Sequence, residues 1–105
     1  MSETMIRPGA PMCLVLLSYV RPIEEVDAQM AAHVAFLADA FEQGVLVIAG
    51  RRVPRTGGVL LFRGEPDAVE AVAATDPFVT SGVATFEVVA FTASMAAAEM
   101  AGVFA

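Results

Sequence analysis

The fold is decided by the stretch MCLVLLSYVRPIEEVDAQMAAHVAFLADAFEQG, which covers residues 12–44. Residues 12–19 form a run that is apolar up to its last two positions and too short for a stable helix, so the run predicts a strand. Arg21-Pro22 ends this strand, and Pro22 suits the first turn of a helix. A strand followed at once by a helix is therefore the starting unit of the fold.

From Ile23 to Gln43 the apolar spacing changes to that of a helix. Glu24 and Glu25 lie in its first turn, where the helix dipole favours negative charge, and Gly44 follows where helices commonly end. One stripe of the helix surface contains Ile23, Val26, Met30, Val34, Leu37 and Phe41. The pattern predicts a single helix over residues 23–43.

Downstream of this helix the pattern predicts two strands, a second helix and a last strand. The second helix ends at Asp76-Pro77, because the residue before a proline disfavours the α region. Residues 78–82 are expected to be irregular, with at most one short turn. The strands are predicted at 45–50, 58–63 and 84–92, with a hairpin loop at 51–57 and the helix at 66–75.

The order β-α-β-β-α-β predicts an α+β, ferredoxin-like domain, in which two helices cover one face of a four-stranded antiparallel sheet. The strands are apolar on both sides, so the second face is expected to be buried as well. The composition, 57% hydrophobic, supports this, although alanine inflates the count. We therefore expect a homodimer in which a second copy packs against the sheet face.

Charge and hydropathy exclude several classes of partner. Six basic and twelve acidic residues, a net charge of −6, argue against nucleic-acid binding, which needs a basic face. No apolar run approaches the ~20 residues that span a bilayer, so no membrane contact is expected. The single cysteine, Cys13, fits a reducing compartment, and we expect a cytoplasmic protein in which this thiol is buried and inert.

Both ends of the chain lie outside the predicted domain of residues 12–93. Residues 1–11 carry two prolines and no secretory apolar core, which predicts a flexible leader. Residues 94–105 are rich in alanine and methionine and are a candidate short helix.

Three local patterns resemble the YciI-like proteins over about residues 12–92. They are Ala32-His33 followed by Phe36-Leu37, the loop Val53-Pro54-Arg55-Thr56-Gly57-Gly58, and Asp76-Pro77-Phe78 followed by Gly82. The resemblance implies a ferredoxin-like subunit that forms a dimeric α+β barrel. It also implies an active site with a His-Asp pair at His33 and Asp76. A relative in chlorinated-aromatic breakdown is a dehydrochlorinase acting on a hydroxyhydroquinone, and muconolactone isomerases share the general fold.

The residues support the same pair independently. His33 is the only histidine, and imidazole is the side chain whose ordinary pKa lies near neutrality. It lies at the edge of the apolar stripe, and Asp76 lies at the end of the second helix, which packs beside the first. A carboxylate that holds one imidazole nitrogen leaves the other free as a general base. The alternatives stay open: a structural histidine at a helix edge, and an aspartate that only ends a helix.

Arginines near the hairpin loop are candidates for binding an anionic group. Arg55 stands before Gly57-Gly58, which would let backbone approach a ligand closely; the alternative is an ordinary turn-forming loop. YciI-like proteins often have Ser-Gly-Pro where this chain has Ala49-Gly50-Arg51, so this chain either binds something different or uses Arg51 instead. Tyr19, the only tyrosine, is a candidate pocket residue, or alternatively an edge or core residue.

These features predict a small cofactor-free enzyme that moves a proton on a small anionic or phenolic molecule, of lyase or isomerase type. One histidine and one cysteine make no zinc-type ligand set, and Gly57-Gly58 lacks the Lys-Ser/Thr of a phosphate loop. No metal is therefore expected. The alternative is a non-catalytic module that binds or senses a small ligand in the same cavity.

Overall fold

The computed structural model describes residues 4–105 and has an α+β architecture. The strands are β1 (Met5–Ile6), β2 (Ala10–Tyr19), β3 (Leu46–Arg51), β4 (Gly57–Arg63), β5 (Ala84–Ala93) and β6 (Ala96–Ala97). The helices are α1 (Ile23–Ala28), α2 (Met30–Glu42), α3 (Pro66–Ala73) and α4 (Pro77–Thr80), and a 3₁₀ helix covers Ala98–Val103.

Within residues 4–105 the main sheet has four strands in the order β3-β4-β2-β5, with every neighbouring pair antiparallel. The helices pack on one face, and alternate β2 side chains, Cys13, Val15 and Leu17, enter the core there. This arrangement confirms the α+β fold with a four-stranded antiparallel sheet and a layer of helices.

The first helical segment is not one helix, and that expectation is corrected. At Gln29 the backbone leaves the α region (φ −100°, ψ 1°), and its N–H bonds to the carbonyl of Val26, three residues back. The segment is therefore α1 followed by α2. The apolar stripe runs through the break without a change of spacing, so periodicity alone does not reveal it. The His33 N–H bonds to the Gln29 carbonyl, which places His33 in the first turns of α2.

A bulge in β3 decides which of its side chains face the helices. Leu46 pairs with Phe62, but Ile48 pairs with Leu61, so Val47 is an extra residue in the ladder. Because strand side chains alternate, an extra residue reverses the faces of those that follow. Arg51, paired with Gly58, consequently faces the helices.

The opposite face of the sheet is mostly apolar, and α1–α4 do not pack on it. Successive strand residues point to opposite faces, so the neighbours of the core residues point outward. Ile48, Val89 and Phe91 on this face are 55%, 38% and 41% exposed. The outer face, as we call it, has an apolar part formed by Leu14, Leu16, Ile48, Val59, Leu61, Val89 and Phe91, and a polar end with Ser18, Thr85 and Glu87.

The two chain ends contact each other and one end of the outer face. β1 pairs antiparallel with β6, and the Arg63 Nε–H donates to the Val103 carbonyl at 2.6 Å. The tail thus forms a short strand and a 3₁₀ helix instead of an α-helix. Of the leader expected to be flexible, residues 1–3 lie outside the described residues. The division at residues 12 and 93 stays a prediction.

Cys13 is fully buried, and its Sγ–H donates to the Gly64 carbonyl at 3.5 Å. Burial, and secondarily the negative charge of Glu65, raise the pKa of the Cys13 thiol. A raised pKa lowers the thiolate fraction, which is the nucleophilic form. Cys13 is therefore a core residue. Among the helices of residues 4–105, none has the length and apolar character needed to cross a membrane.

Candidate active site

His33 and Asp76 are in direct contact. The His33 Nδ1 and the Asp76 Oδ1 are 2.8 Å apart, and the two residues are 7% and 1% exposed. α2 supplies the histidine, and the turn between α3 and α4 supplies the aspartate. Asp76 is extended (φ −59°, ψ 127°), as a residue before proline must be, and it is the N-cap of α4. The predicted contact between the two helical segments is present.

The contact selects one form of the imidazole. An ionised carboxylate can only accept a hydrogen bond, so the proton of a neutral His33 lies on Nδ1, which donates to Asp76. Nε2 then carries the in-plane lone pair of a base. Within residues 4–105 Nε2 has no hydrogen-bond partner. It is not fully buried, so part of its surface is accessible. The nitrogen able to accept a proton is therefore the accessible one.

Two phenylalanine rings lie near the imidazole, and one of them covers a face. The Phe78 ring is nearly parallel to it, with centroids 3.8 Å apart and planes 7° apart. Phe36 is stacked more distantly, at 6.4 Å and 26°. The Phe78 ring closes one face of His33 to a ligand and leaves the ring edge, where the Nε2 lone pair points. This geometry suits proton transfer.

A cavity of about 170 Å³ opens beside His33. An apolar cavity of about 150 Å³ holds a benzene molecule, so the space fits one small ring or a molecule of that size. The lining is mostly apolar, with His33, Tyr19 and Arg51 as its polar side chains. The apolar side chains are Leu17, Met30, Val34, Leu37, Ala49, Leu60 and Phe78, and the glycines are Gly50, Gly57 and Gly58.

Arg51 is the arginine that reaches this cavity. It lies on β3 opposite Gly58, which has no side chain to fill the same space. Its neighbour Arg52 points to the other face of the sheet, where its Nη1–H donates to the Ser18 hydroxyl at 3.4 Å. The positive charge at the cavity thus comes from Arg51, whose inward direction depends on the β3 bulge.

Arg55 is engaged with this chain's own residues. Its Nη2–H donates to Asp27 Oδ1 at 2.7 Å, and its guanidinium carbon lies 5.9 Å from the centre of the Tyr19 ring. The hydrogen bond to Asp27 is the main cause that raises the Arg55 pKa. Arg55 is not a cavity-lining residue, but Tyr19 is, and its ring meets Phe78 edge-on at 5.8 Å. Arg55 therefore borders the site through Tyr19.

Sequence reasoning placed His33, Asp76, Tyr19 and Arg51 in one region, and the structure brings these four together. Their roles stay predictions. It missed Asp27, because a polar residue on the first helix carries no signal of a partner 28 positions away. Phe78 was noticed only as part of a motif, and nothing in the sequence indicates its ring contact. Across residues 4–105, no three His, Cys, Asp or Glu side chains are grouped to hold a metal ion.

Comparisons with known proteins agree with this fold. A family model described as the YCII-related domain matches residues 12–92. A solved structure of 5-chloro-2-hydroxyhydroquinone dehydrochlorinase from Burkholderia phenoliruptrix AC1100, in complex with 2,5-dihydroxybenzoquinone, is similar with a TM-score of 0.63 and 21% identity. The match covers 74% of this chain and 90% of the dehydrochlorinase chain, and at this identity it shows the fold alone. A search of curated proteins finds no match.

Proposed function

The chain belongs to the YCII-related domain family, and from this premise we propose that it is a small enzyme that moves a proton on a small anionic or phenolic molecule. His33 is the general base, and Asp76 holds it in the productive tautomer. The observation that carries the proposal is the buried 2.8 Å contact between His33 Nδ1 and Asp76 Oδ1, with Nε2 left free beside a cavity.

Two reaction types fit a lone acid–base pair. The base takes a proton from a C–H or O–H bond of the substrate, and the electron pair of that bond stays on the substrate. In a lyase reaction this pair forms a new π bond as a leaving group departs with its own electrons. In an isomerase reaction the π bonds shift and the imidazolium returns its proton to another atom. Positioned proton transfer of this kind contributes about 10²–10⁴-fold in rate.

The substrate class follows from the cavity and from the similar structure. A mostly apolar cavity of about 170 Å³ with one arginine suits a single ring that carries an ionised oxygen. The dehydrochlorinase acts on a chlorinated hydroxyhydroquinone and was solved with 2,5-dihydroxybenzoquinone, a ring of this kind. The first experiment therefore incubates the purified protein with 5-chloro-2-hydroxyhydroquinone and with related phenols, and follows product and released chloride.

In this proposal Arg51 binds the anionic group of the ligand directly. Arg55 affects the ligand only through its contact with the ring of Tyr19, which lines the cavity. Changing Arg51 to glutamine is expected to weaken the binding of 2,5-dihydroxybenzoquinone at least tenfold, because a charge-assisted hydrogen bond is worth about 1.5–3 kcal/mol. Isothermal titration measures the Kd. Arg52→Gln is the matched control, since the adjacent arginine points to the opposite sheet face. Equal Kd values for the two variants would contradict an anion contact at Arg51.

The binding experiment also separates the enzyme from its alternative. A protein that binds such a ring tightly, gains thermal stability from it and yields no product across the panel is a binding or sensing module. Conversion of any member of the panel, with loss of that conversion in a His33 variant, supports the enzyme. We place this activity in the cytoplasm, as the single cysteine suggests.

The partner that we propose for the outer face is a second copy of the chain. Three large apolar side chains there, Ile48, Val89 and Phe91, are between 38% and 55% exposed in the single chain. A sheet whose second face is apolar is normally covered, and sheets pack face to face at about 10 Å. A homodimer with the two sheets facing each other would bury this surface and leave the helices and the cavity mouth outside.

Val89→Asp is expected to convert the dimer to a monomer, because it places a second negative charge, beside Glu87, in the apolar part of the outer face. Light scattering after size-exclusion chromatography measures the mass. Val53→Asp is the matched control, since Val53 is 97% exposed in the hairpin loop. A wild-type mass equal to one chain, or a Val89→Asp protein that stays dimeric, would contradict the proposed dimer through the sheet face.

A further inference from the structure

One residue contacts both members of the His33–Asp76 pair. The peptide N–H of Phe78 donates to Asp76 Oδ1 at 2.9 Å, and its ring stacks on the His33 imidazole at 3.8 Å. Phe78 is 2% exposed, and the edge-on contact with Tyr19 braces the ring from another side. The same oxygen of Asp76 thus accepts from Phe78 and from His33. No other described residue makes contacts with both side chains through hydrogen bond and ring.

The pair needs such a contact because one hydrogen bond does not fix a ring. The bond from Nδ1 to Asp76 sets one distance, but rotation of the imidazole about its Cβ–Cγ bond still bends and weakens that hydrogen bond, and with it the preference for a proton on Nδ1. The χ2 torsion of histidine has broad minima and offers little resistance. A nearly parallel ring at 3.8 Å restricts that turn, since tilting the imidazole drives it into the Phe78 ring. The direction of the Nε2 lone pair is then set.

The carboxylate is fixed in a similar way. Asp76 Oδ2 is buried and has no hydrogen-bond partner among residues 4–105, so Oδ1 carries all the contacts that orient the group. The Phe78 N–H is the only backbone donor that we find on Oδ1 within the described chain. It comes from the first turn of α4, whose start is set by Pro77. The carboxylate and the residue that orients it are therefore two positions apart.

We propose that Phe78 is the positioning residue of the pair: its N–H orients the Asp76 carboxylate and its ring sets the plane of the His33 imidazole. The inference rests on the proposed function in one respect, since it assigns Phe78 a role in delivering Nε2 to a substrate. The orientation of the imidazole is, however, a property of the free protein. Phe78 touches no reacting atom in this role and acts through His33.

The test uses the fact that His33 is the only histidine, so that a chain labelled with ¹⁵N at histidine gives one imidazole spectrum. Phe78→Leu removes the ring and keeps the peptide N–H. In the wild-type protein we expect the ring protons of His33 to be shifted upfield by the face of Phe78 and the two nitrogens to report a proton on Nδ1. In Phe78→Leu we expect the upfield shift to disappear and the two nitrogen resonances to move toward each other.

The controls separate positioning from general loss of packing. Phe62→Leu is the same substitution at a core residue that is 0% exposed and lines no wall of the His33 cavity. Phe36→Leu removes the more distant ring at 6.4 Å. Both are expected to keep the wild-type tautomer, and Phe78→Tyr, which retains a ring, is expected to keep the upfield shift and the tautomer.

The outcomes of these experiments distinguish failure of the positioning role from failure of the proposed enzyme. If Phe78→Leu folds and keeps the wild-type shifts and tautomer, or if Phe62→Leu changes them equally, the positioning role is wrong whatever the activity of the protein. If the tautomer changes as expected and no substrate is ever converted, the proposed enzyme fails while the positioning role stands. With a converted substrate, Phe78→Leu is expected to lower kcat by a larger factor than it raises KM, since it misdirects the base and changes only one of the apolar side chains that line the cavity.

Discussion

His33→Asn lowers the turnover of a converted substrate by about 10²–10⁴-fold, which is the contribution expected of a positioned general base. Asparagine is chosen because its amide nitrogen, like Nδ1 of histidine, is bonded to Cγ. The variant can therefore still donate a hydrogen bond to Asp76 Oδ1 while it lacks any atom that takes a proton near neutrality. Steady-state kinetics with the wild-type substrate measures the change.

His33→Ala is a poorer test, because it leaves Asp76, at 1% exposure, without its imidazole donor and changes stability together with chemistry. Ligand affinity and the denaturation midpoint serve as internal controls for His33→Asn, and both are expected to stay near wild-type values. A His33→Asn protein that turns over substrate at the wild-type rate would exclude His33 as the base. An inactive variant that no longer folds would instead favour a structural histidine.

Asp76→Ala is expected to lower the free energy of unfolding by about 2–4 kcal/mol. Loss of an N-cap side chain costs about 0.5–2 kcal/mol, and a buried donor left without its acceptor costs about 1–3 kcal/mol. Here the cap bond is from the Phe78 N–H to Asp76, and the abandoned donor is the His33 Nδ1–H. Urea denaturation followed by circular dichroism measures the free energy.

Asp39→Ala is the control for Asp76→Ala, since Asp39 is exposed and its bond to Gln43 lies on the helix surface. Asp39→Ala is expected to change the free energy of unfolding by less than about 0.5 kcal/mol. Asp76→Asn keeps an acceptor oxygen on Cγ and is expected to lose less stability than Asp76→Ala. If Asp76→Ala is no more harmful than Asp39→Ala, the buried pair does not stabilise the fold, and its role is confined to chemistry or is absent.

Much of this fold could be predicted because its signals are local. The apolar run of β2, the prolines at positions 22, 66 and 77 and the alternation in β5 each act over a few residues. The contact between His33 and Asp76 spans 43 positions, yet it follows from the frame, because the fold brings the start of α2 beside the end of α3. A correct order of the elements therefore leaves few other arrangements for the side chains of His33 and Asp76.

The rest depends on distances that no local pattern encodes. The break at Gln29 leaves the apolar stripe intact, so the stripe predicts one helix where there are two. The Asp27–Arg55 ion pair joins two exposed polar segments, whose partners are set by how the hairpin loop lies against α1. The stacking of Phe78 on His33 depends on side-chain packing at 3.8 Å, a distance that element order does not specify.

The extra residue at Val47 carries a consequence for how this site can diverge. Deleting that one codon would restore simple alternation along β3 and leave Arg51 facing the cavity, because Leu46 and Ile48 already pair with adjacent residues of β4. A codon inserted between Ile48 and Arg51, with no second bulge to absorb it, would instead turn Arg51 away from the cavity and Arg52 toward it. A single in-frame insertion at this place thus exchanges one arginine of the cavity wall for the other without a substitution in either, whereas loss of the bulge residue does not.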